Sequence, residues 1–486
     1  MSLKSLNHTV LYFLTRIISG SIGLMSIYVL TRILSTDEYG NFTLLIAIVT
    51  FTSGVSFQWL SISTSRLILE YKRNLYSFVK ASAFLFFLSS IVALCIIYMS
   101  TYIYPQITKN YFFILLLVSI FLGLYNLLIQ LANIVQRPLL YGSLSSSRAI
   151  FSLIFSIIFV ILFDFHTFGA LIGFGMGFLI SILLFLFYFK WKIRDLFLQR
   201  SILNTKPDMQ LAVTLFKYGV PLTFTYLSIM LINVSDRFML AKMSTSVELS
   251  SYSVAYDLAQ QTIGLLMNIL FLAYFPKIIQ AQTKGSDTQL NNLMKQLGIF
   301  MFAIAILINL IFINASEGIS NIMFGGGLNH LASILLPVIS VGMTIGFYKN
   351  YYLDVSFQVM KRTDMQLFIT MAMAIINIVL NLVLIPAYGA EGASIATLIA
   401  FGIGAVMSSI YSKKIMRMPT FISYDILKII CSAFFVDVIS YYFNFTYKNI
   451  SGTLQHLIIL TCIYVGLLFI CNVADLQKKI FILKGS

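Results

Sequence analysis

Five cationic side chains stand inside or at the edge of long apolar runs: Arg16, Arg32, Arg66, Arg237 and Lys349. Charge in such a setting is costly and persists where it meets a partner, a water-filled cavity or an anion. A guanidinium forks onto two oxygens of a phosphate at once, so arginines at several depths suit an anion that has to cross. The plainer roles are snorkelling, with Arg32 and Arg237 reaching one interface and Arg66 the other. Arg66 and Glu70 are four apart and would pair on a helix. Asp236 and Arg237 are adjacent, and Lys349 and Asp354 are five apart. On a regular α-helix neither pair shares a face, so each member needs a partner elsewhere.

Carboxylates form a second set. A carboxylate at depth takes up a proton readily or helps to hold Na+. Asp236, Asp257 and Asp354 are the candidates for coupling to H+ or Na+; Asp437, far along the chain, reads as structural. Uncharged polar residues recur at helical spacing. Asn126, Gln130, Asn133 and Arg137 fall on one helix face, as do Asp257, Gln261, Gly264 and Asn268. Shorter stripes are Arg16, Ser19, Gly23 and Ser26; Thr223, Tyr226, Asn233 and Arg237; and Asn377 with Asn381. Converging, such stripes would line an aqueous cavity; singly, each would serve only to hydrogen-bond one helix to the next. There is no phosphate-binding Walker loop, no H-E-x-x-H and no G-x-S-x-G. The four histidines lack ligand spacing, so neither metal, cofactor nor enzymatic activity is expected.

The elements that would position these residues are long apolar helices. Of 486 residues, 59% are hydrophobic and 10% charged, and mean hydropathy is +0.92. A soluble domain carries about 25% charged residues, so this composition excludes a water-soluble enzyme and points to lipid as the main solvent. Runs of about 20 apolar residues give fourteen spans: 10–34, 40–62, 78–104, 111–136, 144–164, 167–189, 212–236, 250–276, 293–314, 331–357, 365–386, 391–412, 424–445 and 453–473. The first run is too long for a signal-peptide core and reads as a retained span. Cys95, Cys431, Cys462 and Cys471 lie inside spans and read as small core residues.

Net charge is +15, and the distribution of basic residues tests the count of spans. At the termini and in the even-numbered gaps stand 25 of the 32; the other seven are Arg16, Arg32, Lys109, Arg237, Lys242, Lys349 and Lys448. The positive-inside rule then places both termini in the cytoplasm and explains the basic excess without nucleic acid. The loop 190–211 is basic and cytoplasmic on this count.

A faint repeat runs through the chain. Gly169, Gly173 and Gly177 have the spacing of Gly392, Ala396, Ala400 and Gly404, small faces on which a neighbouring helix packs closely. Ser35-Thr36 in the first gap resembles Ser244-Thr245 in the seventh. Six spans are an even number, so the copies are parallel. The expected fold is an all-α polytopic membrane protein of about fourteen transmembrane helices. Residues 1–206 and 207–418 form two six-helix lobes in pseudo-repeat, and 419–486 a terminal helix pair with a tail.

Several segments carry a family resemblance. They are Tyr218–Leu222 (Tyr-Gly-Val-Pro-Leu), Ser235–Leu240 (Ser-Asp-Arg-Phe-Met-Leu) and Tyr252–Tyr256 (Tyr-Ser-Val-Ala-Tyr). Phe275-Pro276-Lys277 and Pro386 with Gly389, Gly392 and Ala393 complete the set. Over residues 1–415 the chain resembles the multidrug/oligosaccharidyl-lipid/polysaccharide exporter superfamily, and within it the Wzx-type O-antigen and capsule flippases. The resemblance implies movement of an undecaprenyl-pyrophosphate-linked oligosaccharide from the cytoplasmic to the outer leaflet of the bacterial inner membrane by alternating access. It implies a partner set of lipid-linked glycan, membrane lipids and other glycan-assembly membrane proteins. The pyrophosphate would meet Arg16, Arg32, Arg66, Asn126, Gln130, Asn133, Arg137, Arg237 and Lys349. A multidrug/cation antiporter of the same fold is the alternative, though it would want an acidic cavity. A membrane glycan polymerase or ligase would want a large outer loop, and no outer gap is long.

Overall fold

The computed structural model describes residues 3–68, 70–71, 75–134, 138–188, 208–325, 327–416, 424–443 and 450–475, and these are all-helical. The long helices are α1 (Leu3–Ile33), α2 (Thr36–Leu67), α3 (Leu75–Ile103), α4 (Phe112–Ile134), α5 (Pro138–Ile157), α6 (His166–Tyr188) and α7 (Met209–Met243). They continue with α8 (Ser246–Thr283), α9 (Asp287–Asn314) and α10 (Asn329–Tyr348). A single run, Thr363–Ile415, breaks at Gly389, so residues 363–388 are α11 and 390–415 are α12. Two more, α13 (Tyr424–Phe443) and α14 (Ile450–Ile470), follow. A short helix, Ser316–Met323, occupies the first half of the α9–α10 connection. Each expected span has its helix. Among the described residues, 11 helices are long and apolar enough to cross a membrane, counting Thr363–Ile415 once; α7 and α13 fall outside that set.

Large apolar side chains point outward all along these helices, Phe87, Phe113, Phe187 and Phe434 among them. Water would penalise such a surface and lipid does not. Cys95, Cys431 and Cys462 lie on it too. They are not core residues as expected, because a small apolar thiol suits a lipid-facing position as well as a packed one.

The chain falls into two compact units, Met1–Ala241 and Lys242–Ser486. In the first, α1 packs on α5, α5 on α6, and α2 on α3 and α4. The start of α7 belongs here, since Leu211, Ala212 and Leu215 share a core with Trp59, Leu60 and Phe78. In the second, α8, α9 and the run Thr363–Ile415 all pack on α10. Helices α13 and α14 lie on α9 through Ile429, Val436, Leu460 and Tyr464. Asn314 of α9 donates to Asp437 at 2.9 Å, which gives that carboxylate its structural role.

Hydrophobic driving force is absent between helices in lipid, so close approach and hydrogen bonds hold them. On the α5–α6 seam a Cβ at Gly173 would overlap the Ser156 backbone, and one at Gly177 the Arg148 carbonyl. Removing those Cβ atoms lets Ser156 Oγ donate to the Ala170 carbonyl at 3.1 Å and Ser152 Oγ to that of Phe174 at 3.0 Å.

The repeat reappears as a capping device. Ser35 caps α2 in a full capping box with Glu38, and Thr245 caps α8 by accepting from the Glu248 N–H. The true equivalence is therefore Ser35 with Thr245, one residue on from the match that Ser-Thr suggests. Each third-position glutamate then reaches the start of the helix four further on, α6 from α2 and α12 from α8. Glu38 Oε1 meets His166 Nδ1 at 3.0 Å. The Glu248 carboxylate, bonded by Ser244, lies against Gly389 so closely that no Cβ would fit. The spacing that aligns Gly169 with Gly392 also aligns His166 with Gly389, and both have left-handed φ, 43° and 54°.

Candidate functional site

In the first unit the polar stripe of α1 faces a stripe on α5. Arg16 Nη2 donates to Tyr141 Oη at 3.4 Å, with its guanidinium 5.9 Å from the ring centre. Ser19 and Ser145 bond at 2.8 Å. The Nε of Arg16 is buried without a hydrogen-bond partner. Seven residues along α5 from Tyr141 stands Arg148, about 10 Å further at 1.5 Å per residue. Its guanidinium lies 5.6 Å from the Phe178 ring centre and in the neighbourhood of the Tyr125 phenol of α4. Arg148 stands near the start of the expected span 144–164, although the tally of basic residues groups it with the even gaps; here it lies well inside a helix and half-buried. A polar stripe Tyr141-Ser145-Arg148 was there to be read, hidden by the run of serines around it. Among the described residues no carboxylate lies within 4 Å of Arg16 or Arg148.

The remaining candidates in this unit scatter. Arg32 is exposed at the end of α1, 3.8 Å over the Tyr28 ring and donating to the Tyr28 carbonyl at 2.8 Å. Arg66 is exposed in the last turn of α2. That helix stops at Leu67, so the four-residue spacing to Glu70 no longer brings the two charges together. Asn126 is half-buried, its carbonyl accepting from Ser61 Oγ at 3.2 Å, and Gln130 is exposed. Arg137, the side chain of Asn133 and most of the loop 190–211 lie outside the described residues. Asp236 and Arg237 are both buried in α7.

In the second unit Lys349 and Asp354 form a fully buried ion pair, Nζ to Oδ2 at 2.8 Å, with side chains 1% and 0% exposed. This overturns the expectation that they point to different faces. Residues Lys349–Leu353 form a π turn, and the Asp354 N–H donates to the Lys349 carbonyl at 2.9 Å. An i to i+5 turn places residues five apart on one face, where a regular α-helix would separate them. The other carboxylate oxygen of Asp354 accepts from Ser408 Oγ at 2.8 Å, tying the turn to α12.

Other stripes of this unit seat helix on helix. Asn268 Nδ2 donates to Tyr351 Oη at 3.0 Å, and Gly264 abuts Phe347. Asn377 and Asn381 are wholly buried, and Asn377 Nδ2 donates to Thr397 Oγ1 at 3.3 Å. Asp257 is half-buried on α8. Among the described residues, the first unit holds two half-buried guanidiniums, Arg16 and Arg148, without a carboxylate within 4 Å, an arrangement suited to an acceptor-only ligand such as phosphate.

Known proteins share the fold. The fold is similar to that of the lipid II flippase MurJ in an inward closed conformation, with TM-score 0.75, 18% identity and coverage of 95% of this chain and 99% of that one. A multidrug resistance MATE family transporter of the MOP superfamily, inward-facing, matches with TM-score 0.56, 13% identity and coverage of 82% and 97%. A MOP superfamily transporter from Pyrococcus furiosus matches with TM-score 0.58, 13% identity and coverage of 84% and 95%. No curated protein sequence matches the chain. The polysaccharide biosynthesis protein family matches residues 5–282, more than half of the chain, which belongs to that family.

Proposed function

We propose that this member of the polysaccharide biosynthesis family is a flippase for undecaprenyl-pyrophosphate-linked oligosaccharide. It carries the repeat unit from the cytoplasmic to the outer leaflet of the bacterial inner membrane, for O-antigen or capsule assembly. Both termini are cytoplasmic, and movement is by alternating access coupled to H+ or Na+. The observation that carries this reading is Arg16. It sits in a membrane helix, bonded to a phenol, with a buried Nε that lacks an acceptor. An unpaired ion in a low-dielectric region costs several kcal/mol even after relaxation, so a cation kept there serves an anion that visits. A multidrug cation antiporter would want the reverse polarity, and the carboxylate of Asp354 is already neutralised by Lys349.

Depletion in cells tests the proposal. Lipid-linked glycan should accumulate in the cytoplasmic leaflet while surface polysaccharide falls. Unchanged surface polysaccharide, or loss of the lipid-linked precursor itself, would contradict it.

A further inference from the structure

Among the described residues of the first unit Arg16 has a counterpart, Arg148, a second guanidinium without a carboxylate within 4 Å and better built. Arg148 leaves α5 midway along the helix and lies over the Phe178 ring at 5.6 Å, with the phenol of Tyr125, itself only 7% exposed, nearby. Tyr125 in turn lies within electrostatic reach of Tyr141, the partner of Arg16. The four side chains thus form a neighbourhood drawn from α1, α4 and α5, with Arg16 bonded to Tyr141 at one end and Arg148 over Phe178 at the other. Every charged group in it is a cation, and among the described residues neither guanidinium has a carboxylate within 4 Å. Lys349 shows what the same protein does with a cation meant for structure: it buries an aspartate against it.

We propose that Arg16, Tyr141, Tyr125 and Arg148 form one anion site, in which Arg148 is the deeper ligand for a phosphate of the translocated lipid. The inference rests on the reading under Proposed function. Arginine donates only, and a phenol donates while its oxygen takes a further bond, so the site offers donors and asks for acceptors. A pyrophosphate is acceptor-only and multiply negative. Arg16 and Arg148 leave their helices at depths about 10 Å apart, and both side chains are long enough to close on one diphosphate from either end. A headgroup entering past Arg16 exchanges its first contact for Arg148 without passing a region devoid of cations. Phe178 holds the guanidinium plane of Arg148 through its ring face, so the fork is oriented before the ligand arrives.

The test uses the purified full chain and three probes: farnesyl pyrophosphate, farnesol and inorganic pyrophosphate. Wild type should bind farnesyl pyrophosphate in preference to farnesol. Arg148→Gln should weaken farnesyl pyrophosphate about ten- to a hundredfold, the range for a hydrogen bond to a charged group, and leave farnesol unchanged. Arg148→Lys should recover part of the loss, because charge returns without the fork. Tyr125→Phe, which keeps shape and packing, should lower the same affinity by a smaller factor and guards against a folding defect in the first variant. Wild-type affinity in both Arg148→Gln and Tyr125→Phe overturns the inference and leaves the flippase reading standing. Failure of wild type to prefer farnesyl pyrophosphate over farnesol overturns both. Competition by inorganic pyrophosphate at equal affinity would assign the site to a free anion and overturn its assignment to a lipid headgroup.

Discussion

Arg16 and Lys349 carry the same charge in opposite surroundings. Among the described residues Arg16 has a phenol and no carboxylate within 4 Å, whereas Lys349 has Asp354 at 2.8 Å and almost no exposure. Arg16→Ala should therefore cut glycan export about tenfold or more at normal expression, and Arg16→Lys should restore part of it. Surface glycan normalised to protein in the membrane is the measurement. Removing one member of the buried pair is a stability matter instead. Lys349→Met should destabilise the purified protein by about 3–5 kcal/mol, since it strands Asp354 without a counter-ion. Adding Asp354→Leu should recover most of that, and thermal unfolding of the two variants distinguishes them. At this scale the sequence marks Arg16 clearly, as a charge inside an apolar run. It marks Arg148 less clearly, because that residue stands near the start of the span 144–164, beside a run of serines, where a charge reads as the edge of a gap.

Among elements, the connections explain more than the spans. A regular 3.6-residue turn continued past α10 gives Asp354 a face of its own, away from Lys349. Side-chain type gives no sign of a π turn, so that juxtaposition was legible only from backbone hydrogen bonds. Capping chemistry was within reach: a serine or threonine followed three residues on by glutamate marks both Ser35 and Thr245. What the sequence did not disclose is where the two glutamates go. One unit answers Glu38 with His166, and the other answers Glu248 with a bare backbone at Gly389. Gly389→Ala should accordingly destabilise the second unit by about 1–3 kcal/mol from positive φ alone, with overlap against Glu248 added. His166→Gly should cost far less, since it relieves the same φ while giving up an exposed pair. Comparing the unfolding midpoints of the two variants checks the asymmetry; equal losses would mean that the backbone at 166 and 389 does not matter in the way described.

On the scale of the whole molecule, composition and the 3.6-residue pattern were sufficient for helix class and for each span, because lipid leaves a polar backbone almost no other choice. Orientation rests on the basic residues, and it is testable at described positions. In a cysteine-free background, a cysteine at Lys284 should react with an impermeant thiol reagent only after permeabilisation, and one at Glu317 in intact cells. The reverse pattern would invert the direction of transport. That direction bears on the central claim, that the chain moves a pyrophosphate-linked glycan lipid across the bilayer through a cationic path. The most direct measurement is transfer of an undecaprenyl-pyrophosphate-linked oligosaccharide between leaflets of vesicles holding the purified protein. Wild type should speed transfer well above that of protein-free vesicles, and Arg16→Ala should fall most of the way back. Transfer at the protein-free rate with correctly folded wild type, or equal rates for wild type and Arg16→Ala, would contradict it.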